Sequence, residues 1–294
     1  MMRALFSMRT VLFFLYGLVL VIVLAYVRFP ADDFKTYCEK SLADLLQAKE
    51  CRIMEISYLF PAGVRLQGLT LVQPNGGAVD SFTMQSLKIS PGGWNFWRSF
   101  DLDTSLYEGT ATARIMLDWK GNLFQFTQIE GKEIELARWN DQEQSLPRKI
   151  SGLLFFSGRY SGNFSTPFEG EGKGNVIVQD SAIELQRPLL TLSLLTITEA
   201  ESNLHYRGRL LSVTEGKFSG RDLRGDFEGD IEFFGQKGRS ALNITGNLVP
   251  QAGFFKDHPD EAELVRELLI RYNAHQLPFE MGGSVVRPTF SLAE

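Results

Sequence analysis

Cysteine and histidine are scarce in this chain of 294 residues, with two of the first and three of the second. So few ligands of either kind exclude a zinc ribbon, an iron–sulfur cluster and a disulfide-dense scaffold. A basic surface is lacking too. Thirty Lys and Arg stand against 35 Asp and Glu, a net charge of −5, which excludes phosphate-seeking as the dominant character and so argues against nucleic acid as a partner. Reactive signatures are missing as well. No G-x-S-x-G nucleophile elbow occurs, and Gly158-Arg-Tyr-Ser161-Gly162 has the wrong spacing and no partnered histidine. Gly170-Glu-Gly172-Lys-Gly174 lacks Walker A spacing and is followed by the strand-like Asn175–Gln179, so it reads as a hairpin turn. His205, His258 and His275 never stand four apart on one helix. No cofactor is implied, and the composition points away from an enzyme.

What is present is apolar: 44% hydrophobic residues, 12% aromatics, and 27 scattered glycines of the kind that tight turns between strands require. The longest apolar run is Val11–Val27, VLFFLYGLVLVIVLAYV. Seventeen residues at ~1.5 Å each reach ~26 Å, the low end for a membrane-crossing helix. The expected layout is a cytoplasmic tail over 1–10, a transmembrane helix over 11–28 and an amphipathic helix over 29–50. The rest of the chain, 51–294, would then form a β domain outside the cytoplasm. Arg3 and Arg9 precede the run, as the positive-inside rule asks. A cleaved signal peptide is the competing reading, with Val23-Leu24-Ala25 as a cleavage site. The run is long for that purpose and continues through Tyr26 and Val27.

After Pro30, the residues Phe34, Tyr37, Cys38, Ser41, Leu42, Leu45 and Leu46 recur near a 3.6-residue period, which predicts a helix over Ala31–Gln47. Cys38 and Cys51 lie close enough in sequence to form a disulfide closing a short loop; two packed thiols are the alternative. From residue 51 onward the period becomes two. Strands are expected at Ile53–Phe60 and Val64–Val72 with a bulge at Gly68, at Thr110–Trp119, and at Leu123–Glu130 and Lys132–Trp139 with a turn at Gly131. Asn140–Lys149, polar and containing Pro147, is the candidate linker (140–150). Beyond it Phe227, Gly229, Ile231 and Phe233 face one way, while Asp226, Glu228, Asp230 and Glu232 face the other. Leu242, Ile244, Gly246 and Leu248 repeat the pattern, which describes an antiparallel sheet wetted on one side. A second helix is expected over Pro259–Ala274 with Asp257 as its N-cap, and a closing strand over Gly283–Leu292.

The acidic row 226–232 reads as a solvated strand face rather than a calcium site, so no metal is implied. Asn163-Phe-Ser and Asn243-Ile-Thr match glycosylation sequons by pattern. Trp94, Trp97, Trp119 and Trp139 suit a β core or interface as well as a sugar platform.

Three segments together carry a family resemblance. CRIMEISYLFPAGVRLQGLTL (51–71), following an anchor and a helix, resembles the opening of the AsmA-like proteins, in particular the type II secretion system protein N family. LLSVTEGKFSGRDLRGDFEGDIEFF with SALNITGNLVP is similar to that family's repeated strand–turn pattern near the C-terminal end. LPFEMGGSVVRPTFSL is similar to its closing strand. The resemblance implies a single-pass protein of the bacterial inner membrane, its bulk in the periplasm, built as a curved antiparallel β-sheet with a greasy concave side. It implies a non-catalytic part in type II secretion through contacts with other envelope proteins. The alternative is an AsmA-like lipid-binding or lipid-transfer role with phospholipid in an apolar groove. The lining expected for that groove is Phe227, Ile231, Phe233, Leu242, Ile244 and Leu248.

Overall fold

Segments with a two-residue period fold here as one antiparallel sheet of 15 strands. The computed structural model describes residues 8–27, 30–46, 48–60, 62–72, 81–93, 97–138, 149–189, 192–234, 239–271, 276–285 and 288–292. β1 (Glu50–Arg52) and β2 (Glu55–Leu59) pair with successive parts of β3 (Gly63–Val72) and act as one broken strand. From β3 onward each strand pairs with the next in the chain. They are β4 (Ser81–Pro91), β5 (Ser99–Leu106), β6 (Gly109–Asp118), β7 (Leu123–Glu135), β8 (Ile150–Asn163) and β9 (Thr166–Leu189). There follow β10 (Leu192–Arg207), β11 (Leu210–Ser219), β12 (Leu223–Phe234), β13 (Arg239–Pro250), β14 (Leu277–Gly283) and β15 (Pro288–Leu292). The order does not close, because β1–β2 and β15 stand at opposite edges.

Register makes the sheet two-sided from edge to edge, since directly opposed residues share a face. One row of opposed residues runs Tyr58, Val64, Ile89, Leu102, Ala113, Ile129 and Gly158. It continues through Gly174, Leu204, Val213, Gly229, Ile244 and Met281 to Phe290. Every member is apolar or glycine. The adjacent row, on the other face, runs Ser57, Arg65, Lys88, Asp103, Thr112, Glu130, Ser157, Asn175, Asn203 and Thr214. Phe155 opposite Ile177 is a local exception on that polar side. Register shifts between β6 and β7, β7 and β8, β8 and β9, β10 and β11, and β11 and β12 mark bulges, which bend and twist a sheet.

Four helices of six residues or more complete the described chain, beside a helical turn at 136–138 that follows β7. α1 (Met8–Val27) covers the helix expected over 11–28 and starts three residues earlier. Phe13 and Phe14 are each 76% exposed, and most of its other described side chains are exposed as well. Among the described residues, no helix is long and apolar enough to cross a membrane; in α1 the side chains at positions 18, 22 and 25–27 fall outside that description. α2 (Ala31–Leu46) packs Phe34, Cys38, Leu42 and Ala43 onto the apolar face at β1–β4, against Ile53, Ile56, Leu66 and Leu69. Tyr37 and Leu45, expected on that stripe, are exposed. α3 (Ala252–Asp257) and α4 (Pro259–Arg271) lie between β13 and β14 and cover the other end of the apolar face.

Several expected boundaries are corrected. Gly131 does not end a strand, because β7 runs through it. Gly170, Gly172 and Gly174 lie inside β9 and form no hairpin turn. Residues 53–54 interrupt the first expected strand between β1 and β2. Asp257 does not cap α4; it ends α3 and forms an ion pair with Arg221. The closing strand over 283–292 is two strands, β14 and β15, and α3 was too short to show a period. At Gly68 the expected irregularity is real: φ is +61°, and the core-facing positions shift from Leu66 to Leu69. Residues 139–148, most of the expected linker, lie outside the described residues, and β7 and β8 on either side of it belong to the same sheet.

Candidate functional site: an apolar sheet face capped at its two ends

The fully buried side chains concentrate at the ends of the sheet. At the C-terminal end Phe254, Val265 and Leu277 are at 0% exposure, packed with Leu223, Leu248 and Phe279. At the N-terminal end Ile53, Leu66 and Leu69 are at 2–3%. Between these caps, on β5 to β10, the same apolar face carries Leu102, Ile115, Ile129, Phe156, Val176 and Leu204, all half-buried, together with Ile134 at 3% and Phe124 at 8% exposure on β7. No helix contributes to their burial among the described residues. A two-sided sheet needs a second layer on its greasy face, and among the described residues the helices that supply it pack at the two ends.

All six residues expected to line a groove share this face. Ile231 is opposite Leu242, and Phe227, Gly229 and Gly225 are opposite Gly246, Ile244 and Leu248. Leu248 at 3% and Leu242 at 8% are buried, Phe227, Ile231 and Ile244 are half-buried, and Phe233 is 39% exposed. Leu248 belongs to the C-terminal cluster and Phe227 packs against it, so these two are partly core. The four acids of β12 are exposed on the other face, with Asn247 bonding Asp226 at 3.0 Å and Ser212 bonding Asp230 at 2.6 Å.

Glycines shape this face in a way the sequence reading missed. A Cβ at Gly131 would stand 2.3 Å from the Phe156 ring of the neighbouring strand, and one at Gly216 would stand 2.6 Å from Phe227. Each ring occupies the space beside a glycine of the next strand, the arrangement that aromatic side chains use to cover strand glycines. The signal was available only as an excess of both residue types, since which ring meets which glycine is a matter of register. Tyr160 extends the pattern over Gly170, whose N–H donates to its hydroxyl at 2.9 Å while that hydroxyl donates to Pro167 O at 2.7 Å. Desolvation pushes the Tyr160 phenol up, so it remains a neutral, satisfied group on a greasy surface.

Cys38 and Cys51 are unbridged in the structure, both at the N-terminal cluster. Burial pushes the Cys51 thiol up to about 11, with the Glu39 charge adding to it, which makes it a packing group rather than a nucleophile. Glu39 itself accepts a hydrogen bond from the Ile53 N–H at 2.8 Å. A cleft of about 610 Å³ lies where β9 and β10 meet the end of α3, lined by Asp180, Ser181, Thr196, Arg221, Asp222 and His258. The Ser181 hydroxyl there is buried without a hydrogen-bond partner. His205 is exposed on β10, and among the described residues no group of three or more His, Cys, Asp or Glu is placed to hold a metal. Trp97 and Trp119 are exposed at strand ends, whereas Trp94, Trp139 and His275 lie outside the described residues.

Comparison with protein-family models, with curated proteins and with solved structures gives no match to this chain.

Proposed function

We propose that this chain is a non-catalytic, membrane-anchored envelope protein of the AsmA-like kind, whose apolar sheet face binds phospholipid acyl chains. α1 serves as the single-pass anchor in the bacterial inner membrane, and the sheet stands in the periplasm. One observation carries the reading: the row from Tyr58 to Phe290 is apolar or glycine at every strand, yet among the described residues the helices packed on that face cover its two ends. The six strands β5 to β10, at ~4.8 Å spacing, cover ~25–30 Å. That is about twice the ~15 Å depth of hydrocarbon in one leaflet, so an acyl chain fits along the bare stretch. At ~0.8 kcal/mol per buried methylene, a single chain is a strong ligand for a surface of this kind. Native mass spectrometry of the purified full chain tests the proposal. Retained phospholipid that is lost in an Ile115→Asp, Ile129→Asp variant supports it, and a wild-type chain free of lipid overturns it.

The resemblance to the type II secretion system protein N family supplies a second reading, in which the same architecture acts by contact within the secretion apparatus. The outer edge of β15 favours it, because β14 is the sole strand paired with β15 among the described residues and an open edge is a template for strand addition. Photocrosslinking from position 291 separates the two. Adducts to a secretion protein support the contact role, and their absence alongside bound lipid leaves the lipid role alone.

A further inference from the structure

A meander places alternate turns at opposite ends of its strands, so this sheet has two rims. The turns β2–β3, β4–β5, β6–β7, β8–β9, β10–β11, β12–β13 and β14–β15 share the first rim. The other rim holds α3, α4 and the remaining connections. Exposed large apolar side chains divide very unequally between the two. Outside the helices, every one among the described residues except Met54 and Leu194 lies in, or within three residues of, a turn of the first rim. Phe60 is 72% exposed, Trp97 73%, Trp119 64%, and Phe168, Phe234 and Val285 are exposed as well.

The described turn residues of the first rim include Arg98, Lys120 and Arg209 and no acid. Asp118 and Glu169, on adjoining strands, bond Lys120 N and Arg209. The second rim mixes both signs, with Arg221, Lys256 and Arg266 beside Asp222, Asp257 and Glu263. The first rim is also held together. Trp119 donates its indole N–H to Trp97 O at 3.1 Å and stacks on Phe164 with ring centroids 5.9 Å apart. Asn122 bonds Asn163 and Ser165 of the neighbouring turn, each at 2.9 Å.

The direction of α2 agrees. Lys49 N bonds Val72 O, while further back along α2 Glu39 bonds Ile53 and Lys35 bonds Met54 O. The N-terminal end of α2 therefore points along β1–β2 toward the first rim.

We propose that the first rim seats on the anionic lipid surface of the membrane that holds α1. Trp97, Trp119, Phe60 and Phe168 enter the headgroup boundary, where amphipathic rings are at home, and Arg98 and Lys120 meet lipid phosphates. The bare apolar face then opens onto the bilayer at this rim. The inference rests on α1 being the anchor and extends the proposed function to where lipid enters.

The test uses the full chain reconstituted in phosphatidylethanolamine–phosphatidylglycerol vesicles containing brominated lipid, whose bromines quench tryptophan on contact. A W94F/W97F/W139F variant leaves Trp119 as the reporter and keeps its bond to the backbone carbonyl at 97. A variant with all four tryptophans replaced by Phe and Lys149→Trp reports from the second rim. The expected result is loss of Trp119 emission with no loss at position 149, and recovery of Trp119 emission when Arg98→Glu and Lys120→Glu are added or the glycerol lipid is replaced by phosphatidylcholine. Flotation with the vesicles while Trp119 stays bright overturns the rim contact and leaves the anchor standing; failure to float overturns both. A dimer in solution that dissociates on Trp97→Ala, Trp119→Ala, with Trp119 unquenched, assigns the rim to a second copy instead. Lipid retained in native mass spectrometry is read separately and tells whether the groove reading has failed.

Discussion

The two ends of this sheet and its middle are made of the same alternating strands, yet they are different objects. At the C-terminal end Leu277, Val265 and Phe254 are sealed by α3 and α4. In the middle Ile115 and Ile129 have the same chemistry and the same side of the sheet, and remain half-buried. The two sealed clusters are the ones with a helix on top, while the strands beneath them share the composition of the half-buried stretch. A strand pattern alone is therefore silent about which of the two it serves.

Substitutions that treat the regions alike should break them unequally. Phe254→Ala removes a ring at 0% exposure and is expected to cost about 3–5 kcal/mol, seen as a large loss of melting temperature. Gly131→Val forces Phe156 off its seat and is expected to cost about 1–3 kcal/mol through overpacking. That variant should also release bound lipid, because a displaced ring stands in its path. Ile115→Asp, on the bare stretch, is expected to leave circular dichroism unchanged and to lower lipid retention, since water reaches the new carboxylate. Unfolding of Ile115→Asp would mean the middle is closed, and the comparison would collapse. The smallest effect concerns Cys51. Its thiol keeps its proton in the fold until about 11, whereas the unfolded chain releases it near 9.0. Stability is therefore expected to fall as pH rises between those values, and a Cys51→Ala variant should lose that part of the slope. With both thiols unbridged, denatured chain without reductant should label at Cys38 and Cys51 alike.

The sidedness of the strands was legible because a two-residue period is local. Phe227, Ile231 and Leu242 could be placed on one face before any coordinates, and they share it. Phe227 nevertheless belongs partly to the C-terminal core, because its contact with that cluster depends on where α3 and α4 fold back. The glycines misled for the same reason. Gly131 and Gly172 look like turn residues in sequence, and their real neighbours, Phe156 and Tyr160, lie on another strand. Asp257 had the right chemistry for a cap but found Arg221 instead. Signals that depend on the next few residues were readable; those that depend on the next strand were not.

The strand order has a consequence for how the molecule comes into being. Each strand from β3 onward finds its partner in the segment just before it, so no pairing waits for a distant part of the chain. Contacts of low sequence separation close cheaply and early. A chain emerging N-terminus first can thus lay down its sheet one hairpin at a time, starting from the base set by α2. Until α3 and α4 arrive, the apolar face at Leu223 and Leu248 has no cover and stays adhesive. The late C-terminal helices end that interval, and a chain truncated before residue 252 is expected to aggregate rather than to form a shorter version of the same protein.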